Sequence, residues 1–92
     1  MNELELCKAI SDIEGWKGNF NSGALEQVVV GGDGCVGKAL LFDLILKYKV
    51  EVSWCTRDTT IFGDACAIAE VGFEDDAGIP RAILECIVEA NQ

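Results

Sequence analysis

The chain contains no histidine, a single proline and only seven basic residues against sixteen acidic ones. The lack of histidine excludes a histidine general base and every zinc site built on imidazole, and a cysteine nucleophile would be without its usual base. Because half of the 92 residues are hydrophobic, the chain is not a disordered one. A chain of this length is large enough to form a single hydrophobic core. We therefore expect a single globular domain over residues 1–92 that is not an enzyme and needs no cofactor.

Cysteine pairs of the C-x-x-C type and long apolar runs are also missing. The five cysteines are an odd number, which with the missing histidines argues against a metal site and a disulfide framework. Cys7 and Cys86 fall in helical patterns and Cys66 in a strand pattern, where a thiol acts as a small apolar side chain. Without a leader pattern or an apolar run of about 18 residues, we expect a reduced cytoplasmic protein with no membrane contact.

Acidic charge is what the chain has in excess, with a net charge of −9 and a pI near 4.2. This charge disfavours contact with nucleic acid, which requires clustered Lys and Arg, and favours a basic protein partner. No basic residue occurs from Asp58 to Pro80. Within that stretch the candidate protein-binding residues are Asp64, Glu70, Glu74, Asp75 and Asp76. Their spacing is not that of a calcium loop, and a solvated face that keeps the protein soluble is the plainer alternative.

Apolar spacing predicts a small layered α/β (α+β) sandwich in the order α-β-α-β-β-α, with helices packed on three strands. Asn2 is expected to cap a first helix that ends at Gly15. The predicted strands are Leu25–Val30, Val50–Cys55 and Ala65–Gly72, with Arg57–Asp64 as a loop. Two further helices are predicted over residues 36–48 and from Ile79 onward, where Pro80 suits a first turn.

Two apolar features bear on partners. The helix predicted over residues 36–48 has only a narrow polar face, around Asp43 and Lys47, so it is either largely buried or an interface. A homodimer through this helix is therefore left open. Trp16 and Trp54 would be binding hot spots if exposed and core anchors if buried, and we expect burial for Trp54.

A glycine-rich segment follows the run Val28–Val30. The sequence VVVGGDGCVGK over residues 28–38 resembles the phosphate loop of small GTPases of the Ras and Rho type. The resemblance implies nucleotide or phosphate binding through Gly32, Gly34, Gly37 and Lys38. Ala39, however, stands where such loops carry a magnesium-binding hydroxyl, and no N-K-x-D segment follows. We interpret the likeness as coincidental and keep phosphate binding as the alternative function.

Three other segments, NELELCKAISDIEG, ALLFDLILKYKV and IPRAILECIVEANQ, together resemble small uncharacterised proteins of tailed phages and prophages. The resemblance is to phage families of the α-β-α sandwich type, which have no assigned activity. It implies a phage or prophage accessory protein acting in the host cytoplasm. With the acidic charge, it leads us to expect a non-enzymatic binder or inhibitor of a host or phage protein.

Overall fold

In a computed structural model of the chain, residues 2–16, 20–30, 35–61, 69–75 and 78–91 are described. The elements are α1 (Glu3–Glu14), α2 (Phe20–Val29), α3 (Cys35–Tyr48), β1 (Val50–Ser53), β2 (Asp58–Ile61), β3 (Glu70–Gly72) and α4 (Ile79–Ala90). The three strands form one antiparallel sheet in the order β1-β2-β3. The predicted α+β class, with a three-stranded sheet packed by helices, is confirmed.

Both ends of α1 follow the sequence prediction. The Asn2 side chain accepts a hydrogen bond from the Glu5 backbone N–H at 2.8 Å, which satisfies a donor that the first turn leaves unpaired. Gly15 closes the helix in the left-handed conformation, with φ of 68°. Leu6 and Ile10 are fully buried on the inner face of this helix.

The strand prediction for Leu25–Val30 is wrong, because residues 25–29 belong to α2. Three valines in a row favour a strand on local propensity. Leu25, Val28 and Val29, however, are buried at spacings of three and four residues, which is the spacing of one helix face. Packing of that face in the core outweighs the small propensity penalty of valine in a helix.

The sheet differs from the prediction in its middle strand. Residues 58–61, predicted as part of a loop, form β2, which pairs with both neighbours: Thr59 lies opposite Val52 on one side and Val71 on the other. Thr59 and Ile61 alternate inward, so the segment has the period of two that a half-buried strand shows. Of the strand predicted over residues 65–72, Glu70–Gly72 is β3, while residues 62–68 lie outside the described part of the chain.

The last helix, α4, packs between the sheet and α1. Burial on two sides explains why six of its residues are buried, namely Ala82, Ile83, Leu84, Cys86, Ile87 and Val88. Two polar groups tie the helix to the sheet: the Thr59 hydroxyl lies 3.3 Å from the Ala82 carbonyl oxygen, and the Cys86 thiol donates to the Ala69 carbonyl oxygen at 2.9 Å. Both groups are fully buried, so these contacts meet their hydrogen-bonding needs.

Candidate functional site

The outer edge of the sheet carries the acidic residues that the sequence singles out and that the structure describes. Glu70 lies on β3, which is an edge strand of the sheet that the described residues form, and Glu74 and Asp75 follow soon after it. All three are exposed. We call Glu70, Glu74 and Asp75 the acidic edge. Asp64 and Asp76, the other two residues of the predicted set, lie outside the described residues.

The turn between β1 and β2 lies against the acidic edge. The Phe73 backbone N–H donates to the Arg57 carbonyl oxygen at 2.8 Å, and the Arg57 guanidinium donates to the Glu74 carbonyl oxygen. Arg57 has a left-handed backbone with φ of 56°, which turns the chain into β2. These bonds fix the turn beside the residues that follow β3. The bond to the Glu74 carbonyl group holds the Arg57 guanidinium beside the acidic edge. Its positive charge there offsets part of the negative charge of Glu70, Glu74 and Asp75.

Trp54 is exposed, which contradicts the prediction that it is buried. It keeps 64% of its surface accessible because β1 ends at Ser53 and Trp54 begins the turn. Its ring packs edge-on against Phe73, with centroids 6.0 Å apart and an interplanar angle of 79°. Phe73 itself is buried. An exposed indole is thus held on Phe73, the residue that precedes Glu74 and Asp75 in the chain.

Part of the acidic charge has a structural task. The Asp75 carboxylate accepts from the Gly78 N–H at 2.9 Å, just before α4 begins. A negative group at this position is favoured because the N–H groups of the first helical turn carry partial positive charge. Glu70 and Glu74 are therefore the better residues for testing recognition.

An open cavity of about 360 Å³ lies between the acidic edge and α4. Glu74, Asp75 and Arg81 of α4 are among the residues that line it. Arg81 pairs with Glu85 at 2.8 Å and with Glu3 at 3.4 Å. The hydrogen bond to Glu85 raises the pKa of Arg81, and the two ion pairs commit this guanidinium to contacts within the fold. The full lining is Gly72, Phe73, Glu74, Asp75, Gly78, Arg81, Ala82 and Glu85.

The phosphate-loop residues are only partly described. Gly32 and Gly34 lie outside the described residues, whereas Gly37 and Lys38 belong to the first turns of α3. A phosphate loop follows a β-strand, but the segment before this loop is helix α2. Gly37 is buried against α2, where an added Cβ would overlap the Ala24 carbonyl oxygen and lie 2.5 Å from a Val28 methyl group. Close helix packing therefore explains this glycine without a ligand.

The buried thiols do not have the properties of nucleophiles. Burial, with smaller contributions from Glu26 and Glu3, raises the pKa of Cys7 to about 11. Burial also raises the pKa of Cys86. A reactive cysteine needs a lowered pKa, so both thiols serve as packing groups, as the sequence predicts. Among the described residues, Cys7, Cys35, Cys55 and Cys86 form no disulfide bond.

Within the described ranges, no three acidic, cysteine or histidine side chains come together as a set that could hold a metal ion. Searching the helices of those same ranges, we find none with the length and apolar character that crossing a bilayer requires.

No family model, curated protein or solved structure matches the chain. The phage resemblance thus stays a prediction that rests on the three quoted segments. Sequence reasoning missed the Trp54–Phe73 pair, for which the signal was weak: the tryptophan stands at the end of an alternating pattern, just before the turn-forming Thr56 and Arg57.

Proposed function

We propose that the protein is a non-enzymatic binding protein that recognises a basic surface of another protein through the acidic edge and Trp54. The observation that carries this proposal is the exposed indole of Trp54, seated on Phe73 beside Glu74 and Asp75. Tryptophan is among the residues that contribute most to the binding energy of protein interfaces.

The charges suit a cationic partner. Glu70 and Glu74 are exposed along one strand edge, and the whole chain carries a charge of −9. Such a field speeds association with a basic surface, while the buried contact around an aromatic anchor supplies much of the affinity. The resemblance to phage proteins supports a phage-encoded accessory protein that binds or inhibits a host or phage protein in the host cytoplasm. A solvated edge that prevents strand-to-strand aggregation is the plainer alternative.

The test compares capture from a bacterial lysate by immobilised wild-type protein and two variants. Trp54→Ala removes the indole, and Glu70→Lys/Glu74→Lys reverses the edge charge. The matched control is Asp12→Lys/Glu89→Lys, which makes the same change in net charge at exposed sites in the last turns of α1 and α4, where a cation is favoured.

We expect the wild type and the control to retain the same proteins, and both edge variants to lose them, with binding that weakens as salt is added. The proposal fails if no protein is retained above background, or if the control loses the same proteins as the edge variants. If Trp54→Ala still retained every protein, the indole would not be part of the binding surface.

A second candidate function is self-association of the domain through α3. The exposure of Phe42 and Leu46 on this helix favours it.

Nucleotide or phosphate binding through the loop before α3 remains the alternative from the sequence. An amide NMR titration with GTP, ATP and inorganic phosphate tests it, and unmoved Gly37 and Lys38 signals at millimolar ligand would eliminate it.

A further inference from the structure

Helix α3 presents an apolar line to solvent on the side opposite the core. Its buried residues Gly37 and Leu44 are seven positions apart and lie on the inner face. On the opposite face, Cys35, Ala39, Phe42 and Leu46 are exposed at spacings of four, three and four residues. We call these four residues the α3 seam. Phe42 and Leu46 keep 59% and 62% of their surface accessible.

The spacing of the α3 seam is that of a coiled-coil interface, in which apolar residues alternate at intervals of three and four. With Cys35 and Phe42 at the d positions, Ala39 and Leu46 take the a positions. Lys38 and Asp43 then occupy the flanking g and e positions on opposite sides of the seam. A helix that meets only solvent gains nothing from this pattern, because an apolar line is stabilising only when another surface covers it.

The flanking charges select the partner. In a parallel pair of identical helices, the g residue of one chain lies beside the e residue five positions further on in the other. Lys38 of one copy would therefore face Asp43 of the second copy, and symmetry forms this pair twice. In an antiparallel pair, g faces g and e faces e. The other g and e residues of the helix, Ile45 and Val36, are apolar. When the two seams overlap in this orientation, they would lie beside Lys38 and Asp43, so no ion pair would form. The charge pattern is thus self-complementary in the parallel orientation.

The overall charge also bears on where two copies can meet. Two molecules of charge −9 repel each other, and an acidic surface cannot serve as their contact. Helix α3 differs from the rest of the chain, since it contains Lys38, Asp43 and Lys47 and is therefore not acidic. With Asp43 as its one carboxylate, the helix also offers a strongly basic partner few ion pairs. A second copy of this chain fits it better.

We propose that two copies of the protein associate through the α3 seam, with the two helices parallel and Lys38 of each copy paired with Asp43 of the other. This proposal specifies the self-association through α3 given above as the second candidate function. It does not depend on the acidic edge, so its failure would leave the edge proposal intact. A helix of 14 residues is about 21 Å long, and a contact of two heptads falls below the standard interface size. We expect a weak dimer with a dissociation constant on the order of tens of micromolar.

Sedimentation equilibrium of the full chain, at concentrations that span this range and at physiological ionic strength, which screens the repulsion between the two copies, measures the dimer directly. Phe42→Glu should leave only monomer. Leu4→Glu is the matched control, because Leu4 is an exposed leucine on α1, and it should leave the dimer unchanged. Circular dichroism should show both variants folded, since neither residue is buried. A wild type that stays monomeric throughout, or a dimer that survives Phe42→Glu, would overturn the proposal.

Charge exchange tests the orientation. Lys38→Glu or Asp43→Lys alone should weaken the parallel dimer by roughly five- to tenfold, since each change turns two attractive pairs into repulsive ones. The double variant Lys38→Glu/Asp43→Lys should restore the wild-type dissociation constant. Single variants that dimerise as well as the wild type, or a double variant that fails to recover, would refute the parallel pairing.

Discussion

Gly37→Ala is the substitution for which the fold predicts the sharpest outcome. Alanine is the better helix former, and on propensity alone the change should stabilise α3 by about 0.8–1.0 kcal/mol. In the folded protein, however, the new Cβ would overlap the Ala24 carbonyl oxygen and stand 2.5 Å from Cγ2 of Val28. The carbonyl belongs to the backbone of α2 and cannot rotate away, so α2 and α3 must separate.

Overpacking of this kind costs about 1–3 kcal/mol, and separation of the helices also loosens contacts around Val28. We therefore expect Gly37→Ala to lower the free energy of unfolding by about 1–2 kcal/mol despite the gain in propensity. In a domain of this size, such a loss lowers the melting temperature by roughly 5–15 °C. Urea unfolding followed by far-UV circular dichroism, without any ligand, measures the change.

Gly23→Ala is the control, because Gly23 also lies inside a helix, α2, yet an added Cβ there meets nothing within 4 Å. It should raise the free energy of unfolding by about 0.5–1 kcal/mol. The two glycine variants should thus change stability in opposite directions. If Gly37→Ala were as stabilising as Gly23→Ala, α2 and α3 would not approach closely and the packing explanation of Gly37 would be refuted.

Two further predictions concern α1. Asn2→Ala should lower the free energy of unfolding by about 1 kcal/mol, because the Glu5 N–H loses its acceptor, whereas Asn2→Asp should retain it; equal losses in both variants in urea unfolding would contradict this role. Stability should also fall as the pH rises from about 9 to about 11, because burial raises the pKa of Cys7 to about 11, so the unfolded chain loses this proton while the folded chain still holds it. Unfolding measured across this pH range should show a shallower decline in Cys7→Ala, and an unchanged slope would show that Cys7 does not contribute.

The structural features that the sequence predicted best are those that a single local signal decides, with no long-range contact acting against it. Asn2 and Gly15 mark the ends of α1, and both were predicted because a capping side chain and a left-handed glycine act within one turn. The sequence likewise predicted a helix from Ile79 onward with Pro80 in its first turn, and α4 begins at Ile79. For the candidate site, the sequence identified Glu70, Glu74 and Asp75 as acidic, but it placed Trp54 in the core.

The tertiary structure decided the cases in which a local preference had to yield to packing. Val28 and Val29 favour a strand locally, yet they are helical because burial of one face of α2 outweighs a small difference in propensity. Residues 58–61 form a strand because two neighbouring strands pair with them, and this pairing cannot be seen in a segment of four residues. The contact between Trp54 and Phe73 has the same origin, since pairing of β2 with β3 brings the turn that contains Trp54 against the residue that follows β3. Charge and helix ends were thus set by the sequence alone, whereas the exposed indole beside the acidic edge required the assembled sheet.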